Sequence, residues 1–340
     1  MSELKRRWVP AFAGTTYSPH RANRTKTRAV MNSSIALCWF RRDLRIHDHA
    51  ALFHALKNHE RVYCAFVFDN DILDALTKKE DRRVEFIWHS IAELNQELGK
   101  HGGELIVRHG RAADEIPKLA TELKVQAVYA NHDYEPRAIG RDQAVAATLA
   151  KTDIEFLSFK DQVVFEKDEV LTQAGRPFTV FTPYKNAWLK KLDDSFLQAH
   201  LVEKYLHKLA KPDLHSPIPT LEFLGFHTTN LLQLGIRPGM SGARATLQDF
   251  LPRLAGYKQR RDFPGIKGVS YLSVHNRFGT ISIRELARIA TAENSEGART
   301  WLAELIWRDF YFNILYHFPH AAERSFKPEF ANLKFENDKH

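Results

Sequence analysis

Cysteine is nearly missing from this 340-residue chain: Cys38 and Cys64 are its only two, and both stand inside apolar, strand-like runs. That excludes a disulfide framework and leaves two buried, reduced thiols as the expectation. No apolar run approaches the roughly 20 residues that cross a bilayer, so no membrane partner is expected, and the reading is of a soluble, cytoplasmic protein. The zinc pattern HExxH is missing as well. Only His47-Asp48-His49 with His54 imitates a metal site; turn and helix-surface histidines account for it, and no metal is assigned. G-x-G-x-x-G, G-x4-G-K-[ST] and G-x-S-x-G are all absent, which removes the dinucleotide fingerprint, the P-loop and the hydrolase elbow.

Apolar residues make up 44% of the chain and charged residues 26%. That is enough apolar surface for real cores, and the length favours two domains. The net charge of +8 is unevenly spread. Residues 1–30 hold seven Lys/Arg against one Glu, whereas residues 237–288 hold ten basic residues against three acidic ones. The first stretch has neither periodicity nor an apolar segment of the secretory kind, and is read as a disordered tail over residues 1–31. The second is a local basic zone, of the kind that meets phosphates.

From Ser34 onward, short apolar strands alternate with amphipathic helices. Strands are expected at Ile35–Phe40, Val62–Phe68, Leu105–Val107, Ala127–Ala130 and Ile154–Phe159. The longest intervening helix carries Ile87, Ile91, Leu94 and Leu98 on one stripe, and shorter ones cover Ala51–Leu56, Ile116–Leu123 and Gln143–Leu149. This pattern predicts a doubly wound parallel five-stranded sheet over residues 32–165, with ligands beyond the carboxyl ends of its strands. Residues 166–236, rich in proline, read as a connector with short helical pieces such as Lys185–Leu192.

Over residues 237–340 the period turns helical. Leu247, Phe250, Leu251 and Leu254 share one face, and Ser282-Ile283-Arg284-Glu285 has the form of a capping box. The helix over Gly297–Tyr316 is the most informative. Trp301, Glu304, Arg308 and Tyr311, spaced by 3, 4 and 3, fall on one face with Trp307 beside them, while Leu302, Leu305, Ile306 and Asn313 point elsewhere. A carboxylate, a guanidinium and aromatic planes together can stack on a flat heterocycle and bond its edge. The same residues could instead form a core stripe with a local Glu304–Arg308 ion pair. Upstream, Tyr257 through Pro264 ends a helix with cations, and Gly265, Gly268, Ser270 and Ser273 are small and hydroxylic, as a phosphate site requires.

These segments resemble the photolyase/cryptochrome family, most closely the class I cyclobutane pyrimidine dimer DNA photolyases of bacteria. The resemblance rests on Cys38-Trp39-Phe40-Arg41-Arg42-Asp43-Leu44-Arg45, on Val180-Phe181-Thr182-Pro183-Tyr184-Lys185-Asn186-Ala187-Trp188, on Arg261–Pro264 with Ser270–Ser273, and on Trp301 through Tyr311. It implies an α/β antenna domain followed by an all-α FAD-binding domain that is incomplete here. It also implies a monomer acting on UV-damaged DNA: the lesion is flipped out of the duplex, and an electron from excited reduced FAD splits it.

By resemblance, Tyr257, Val269, Ser270, Tyr271, Leu272, Ser273 and Trp301 contact FAD. Glu304 bonds the pyrimidine edge, Trp307 packs on the dimer, and Arg308 and Tyr311 line the same pocket. Arg261 meets DNA phosphates. An antenna chromophore, methenyltetrahydrofolate or another, is also implied. Tyr134-Glu135-Pro136-Arg137-Ala138, however, stands where folate-binding members carry polar contacts, and Glu323 where they carry a cation. Val269 and Asn276 replace the family's usual threonine and leucine. The family's further flavin and DNA contacts and its tryptophan chain have no counterpart before His340, so this polypeptide is read as truncated, binding flavin weakly or not at all by itself. The alternatives are a cryptochrome-type blue-light photoreceptor and a non-catalytic nucleotide-binding α/β remnant.

Overall fold

Successive residues of β1 (Ile35–Phe40) serve opposite faces of one sheet: Ala36, Cys38 and Phe40 join one apolar core, Leu37 and Trp39 another. This two-residue period, with both faces buried, is what the unbroken apolar runs require. The computed structural model describes residues 34–213 and 216–332; the tail expected over residues 1–31 lies outside the described residues. After β1 come α1 (Ala50–Asn58), β2 (Arg61–Asp69), α2 (Asn70–Leu73), α3 (Arg82–Gly99), β3 (Leu105–Gly110), α4 (Ala112–Glu122), β4 (Ala127–Asn131), α5 (Pro136–Ala150) and β5 (Glu155–Phe159). The five strands are parallel in the order β3-β2-β1-β4-β5. Helices α1 and α3 cover one face and α4 and α5 the other, giving the doubly wound sheet expected from the sequence. Helix α5 starts seven residues earlier than its apolar stripe, because Pro136 occupies its first turn, where a missing N–H costs nothing.

Cys38 and Cys64 sit directly opposite each other on β1 and β2, and both are free thiols. Burial pushes both thiols well up, so they behave as small apolar residues.

The connector lies back on the sheet's own helices. Ala210 N–H donates to the Val62 carbonyl at 2.9 Å, and Leu206, Leu209, Leu221, Leu224 and Phe226 join the core beneath α1 and α3. Among its described residues the one α-helix, α6 (Phe181–Lys191), instead packs Tyr184 and Trp188 into a separate helical core.

That helical core is built by α7 (Gly239–Phe250), α8 (Tyr257–Arg260), α10 (Ile283–Ala292) and α11 (Glu296–His317), while α9 (Ser273–Phe278) places Phe278 in the other core, against Phe86 of α3. The face expected on Leu247, Phe250, Leu251 and Leu254 is interrupted: Pro252 ends α7 and tightens residues 251–256 into a 3-10 turn, which leaves Leu251 38% exposed. Ser282 caps α10, accepting from Arg284 N–H at 3.2 Å and donating to Asp48 Oδ2 at 2.5 Å.

Sheet and helices are locked by buried charges. Arg284 Nη2 lies 2.8 Å from Asp48 Oδ1 and 2.9 Å from Asp161 Oδ1, and Arg45 Nη2 lies 2.7 Å from Asp161 Oδ2. Burial would raise the Asp161 carboxyl, but Arg45 and Arg284 hold it well below the usual carboxylate range. The histidine run is spent in the same region: His47 pairs with Glu203 at 2.8 Å, and His49 accepts from Leu52 N–H at 3.0 Å to cap α1.

Candidate active-site cleft

In a doubly wound sheet the switch point lies between β1 and β4. Here the chain's own polar groups fill it. Asn131 donates to Asp43 Oδ2 at 2.7 Å, and Arg41 Nη1 reaches Asp142 Oδ1 at 2.6 Å. The residues that follow turn outward instead: Arg42 leaves the end of β1, Glu135 the end of β4, and they meet at 2.6 Å. Arg277 of α9 joins the same Glu135 oxygen at 2.8 Å. What brings α9 this close is Gly279, whose φ is +63° and whose missing side chain leaves room for the Arg42 carbonyl, 2.3 Å from where a Cβ would be.

Arg42, Glu135 and Arg277 rim a cleft of about 540 Å³, and α11 forms its opposite wall. Helix α11 is capped by Ser295, whose hydroxyl accepts from Ala298 N–H at 3.1 Å. Its roll is fixed by Asp309, whose Oδ2 accepts from Val164 N–H at 3.0 Å, Phe165 N–H at 3.2 Å and Trp188 Nε1 at 3.1 Å. Burial pushes the Asp309 carboxyl up to about 6, against the pull of Arg308 and the Trp188 bond. With α11 so held, Trp301, Glu304, Trp307, Arg308 and Tyr311 all line the cleft, joined across it by Tyr257, Ser270 and Ser273. Eight of the residues singled out from sequence therefore share one hollow, which fits neither a dry core stripe nor a Glu304–Arg308 pair.

Each takes a distinct part. Trp301 is 2% exposed, its ring edge-on to Phe250 at 5.0 Å. Trp307 stacks on Phe181 of α6, centroids 3.6 Å apart and planes within 8°, and on Tyr311 at 5.4 Å. Arg308 is drawn toward backbone: it donates to the Gln162 carbonyl, and to that of Asn276 at 3.2 Å, with its guanidinium 4.8 Å above the Phe312 ring. Burial brings Arg308 down to about 10, so it is still charged at neutral pH. Glu304 accepts from Arg261, whose guanidinium lies 5.4 Å above the Tyr257 ring.

Other residues named from sequence are placed elsewhere. Arg261 bonds Glu304 without itself lining the cleft. Leu272 is 1% exposed and Val269 half-buried, both in the helical core. Tyr271 has a left-handed backbone (φ 57°) that turns its ring outward, where it is 53% exposed. Gly268 is small for packing, since a Cβ there would lie 2.5 Å from the Arg260 carbonyl. Leu305, expected to point away, lines the cleft with Phe312 and Leu315. Phe312 and Leu315 follow Arg308 and Tyr311 by four residues, so continuing the stripe one more turn finds them. Arg42 and Phe181 come from distant elements; both stand in segments that carry the family resemblance, but no periodicity assigns either of them to the cleft. At the expected antenna position, Tyr134 is 1% exposed and donates to Glu166 Oε2 at 2.6 Å, while exposed Arg137 faces Glu323 at 3.8 Å.

An α/β sheet layer, a connector and a helical region with an aromatic, carboxylate-bearing cleft define a two-part architecture with one candidate site in its helical part. A family model described as DNA photolyase matches residues 36–204. A deoxyribodipyrimidine photo-lyase of Synechococcus sp. is 33% identical over 314 residues, 88% of this chain and 64% of that protein. The crystal structure of a bacterial class III photolyase from Agrobacterium tumefaciens superposes with a TM-score of 0.80 at 25% identity, covering 92% of this chain and 65% of that one. An archaeal photolyase from Sulfolobus tokodaii, solved with two FAD molecules, gives a TM-score of 0.73 at 27% identity, covering 89% and 64%. The chain belongs to the DNA photolyase family. It spans about 64% of the length of the first curated relatives it matches. Among the described residues, no helix is long and apolar enough to cross a membrane.

Proposed function

We propose that this chain carries the lesion-reading cleft of a light-driven DNA repair enzyme that splits cyclobutane pyrimidine dimers. In this reading residues 32–165 are the α/β antenna domain, and 237–340 belong to the FAD- and DNA-binding domain. The observation that carries it is the convergence of Glu304, Trp307 and Trp301 on one cleft with Tyr257, Ser270 and Ser273. The chemistry of those side chains fits FAD: Trp301 and Tyr257 offer flat apolar walls for a ring system, and the hydroxyls of Ser270 and Ser273 can donate to phosphate oxygens. When bound and excited in its reduced form, FAD supplies the electron that cleaves the dimer.

The protein's own share is recognition and electrostatics. Glu304 accepts hydrogen bonds from a pyrimidine edge, and its alignment depends on the roll that Asp309 gives α11. Trp307, already stacked on Phe181, presents a preformed plane to the flipped bases at little entropic cost. Arg42, Arg277 and Arg261 supply cations around the mouth, where backbone phosphates would pass. Tyr134 and Glu135 are already engaged by Glu166, Arg42 and Arg277, so the folate position does not fit an added chromophore, and no step is assigned to one.

The test is dimer reversal under blue light, with a dimer-bearing duplex, added FAD and a reductant. Light-dependent loss of dimers is expected, with Glu304→Ala lowering the rate by about 100- to 1000-fold, the scale of one electrostatic contact. Bound flavin without any light-dependent reversal would contradict the reading.

A further inference from the structure

Two side chains to which the sequence gives separate tasks are in contact at the cleft, Glu304 within its lining and Arg261 beside it. Arg261, just after α8, donates through Nη1 to Glu304 Oε1 on α11. Among the described residues, Arg261 is the only partner of the Glu304 carboxylate. The guanidinium has two further holds, the Tyr257 ring at 5.4 Å and Asp262 Oδ1 at 3.4 Å. The bond to Glu304 is nevertheless what chiefly keeps Arg261 above the ordinary arginine value.

The exposure of the pair decides what it can do. Its side chains are 28% and 34% accessible, so water screens the attraction and little is lost on separating them. A phosphodiester approaching the cleft mouth offers the same guanidinium two acceptor oxygens in the fork geometry it prefers. Of the neighbouring cations, Lys258 is tied to Glu296 and Lys267 to Asp249, whereas Arg260 is exposed and can meet phosphate beside Arg261. Arg261 is therefore well placed to exchange a weak partner for a backbone phosphate.

We propose that Arg261 masks Glu304 in the free protein and that the DNA backbone removes the mask. With no nucleic acid present, the guanidinium covers the carboxylate that would read a base. When a backbone phosphate takes Arg261 over, that carboxylate is released toward the flipped base at the moment one is within reach. Arg261 then acts on base reading as a positioning residue, through Glu304. The inference rests on the reading of the cleft given above and makes a prediction of its own: removing the carboxylate frees Arg261 in advance and should strengthen binding to DNA that contains no lesion.

The experiment is dark equilibrium binding of an undamaged duplex by the full chain, across a salt series, for wild type, Glu304→Gln, Arg261→Met and the double variant. Glu304→Gln is expected to bind about two- to five-fold tighter than wild type, the span measured for exposed ion pairs. Arg261→Met is expected to bind more weakly, with a salt slope smaller by about 1. In the Arg261→Met background, Glu304→Gln should make no difference. An equal gain in both backgrounds would mean that Glu304 merely repels phosphate, and would overturn the mask; so would no gain in either. Thermal melts report folding, and Arg261→Gln serves if Arg261→Met does not fold. Failure of the wild type to bind any duplex would sink the reading of the cleft itself, and the mask with it.

Discussion

At Asp309 a single carboxylate oxygen serves three N–H donors while its partner oxygen is buried without one. The pattern explains why this acid resists ionisation despite its contacts: the bonds made do not match the hydration lost. Its folded value of about 6 lies above the ordinary 3.8. Because the folded form holds the proton more tightly, this group's stabilising contribution is complete below about 3.8 and disappears as pH rises through 6. Relative to Asp309→Asn, the wild type should therefore gain about 2 kcal/mol of unfolding free energy between pH 7 and pH 4. Denaturant titrations of both proteins at the two pH values check this. A constant difference would show that the carboxyl is not raised.

At the scale of elements, α11 and α6 are coupled through the Trp307–Phe181 stack as well as the Trp188–Asp309 bond. Phe181 is the face on which Trp307 rests, and nothing in the local pattern around residue 181 announces it. Phe181→Ala should lower stability by about 1–3 kcal/mol, removing both buried area and a stacked pair. It should also weaken binding of a dimer-bearing duplex more than of an undamaged one, because the Trp307 plane loses its support. Equal weakening on both duplexes would assign Phe181 to packing alone. Elements whose apolar residues recur locally were legible in the sequence: the five strand runs are strands, and the stripe through Ile91, Leu94 and Leu98 is the buried face of α3. The side of α11 that meets the cleft was legible for the same reason. The Arg261–Glu304 contact was not, since the two residues are 43 positions apart and each has a sensible separate role.

At the scale of the whole molecule, the sheet and the helices meet over charge. Arg284 from α10 enters between Asp48 and Asp161 beyond the carboxyl ends of β1 and β5. Sequence reading took Arg284 only as part of a helix start, because periodicity says nothing of which surfaces will touch. Arg284→Met should cost about 3–5 kcal/mol by leaving buried carboxylates short of a counter-charge. With Asp161 held low by Arg45 and Arg284, its own contribution is present above the unfolded value and fades only in acid, so the loss in Arg284→Met should be largest near neutral pH. Urea unfolding at pH 7 and at pH 3, below the ordinary value of 3.8, measures it; an equal cost at both would contradict this account of the lock.

The assembled cleft depends on both scales, because Arg42 and Glu135 reach its rim from the sheet while Glu304 and Trp307 reach it from α11. The most direct test is dark binding of a duplex carrying one cyclobutane dimer, against the same duplex undamaged, by wild type and Glu304→Ala. A preference for the damaged duplex that collapses in the variant is the predicted result. A preference unchanged by loss of Glu304, or no preference in the wild type, would contradict the claim that this helix face reads the lesion.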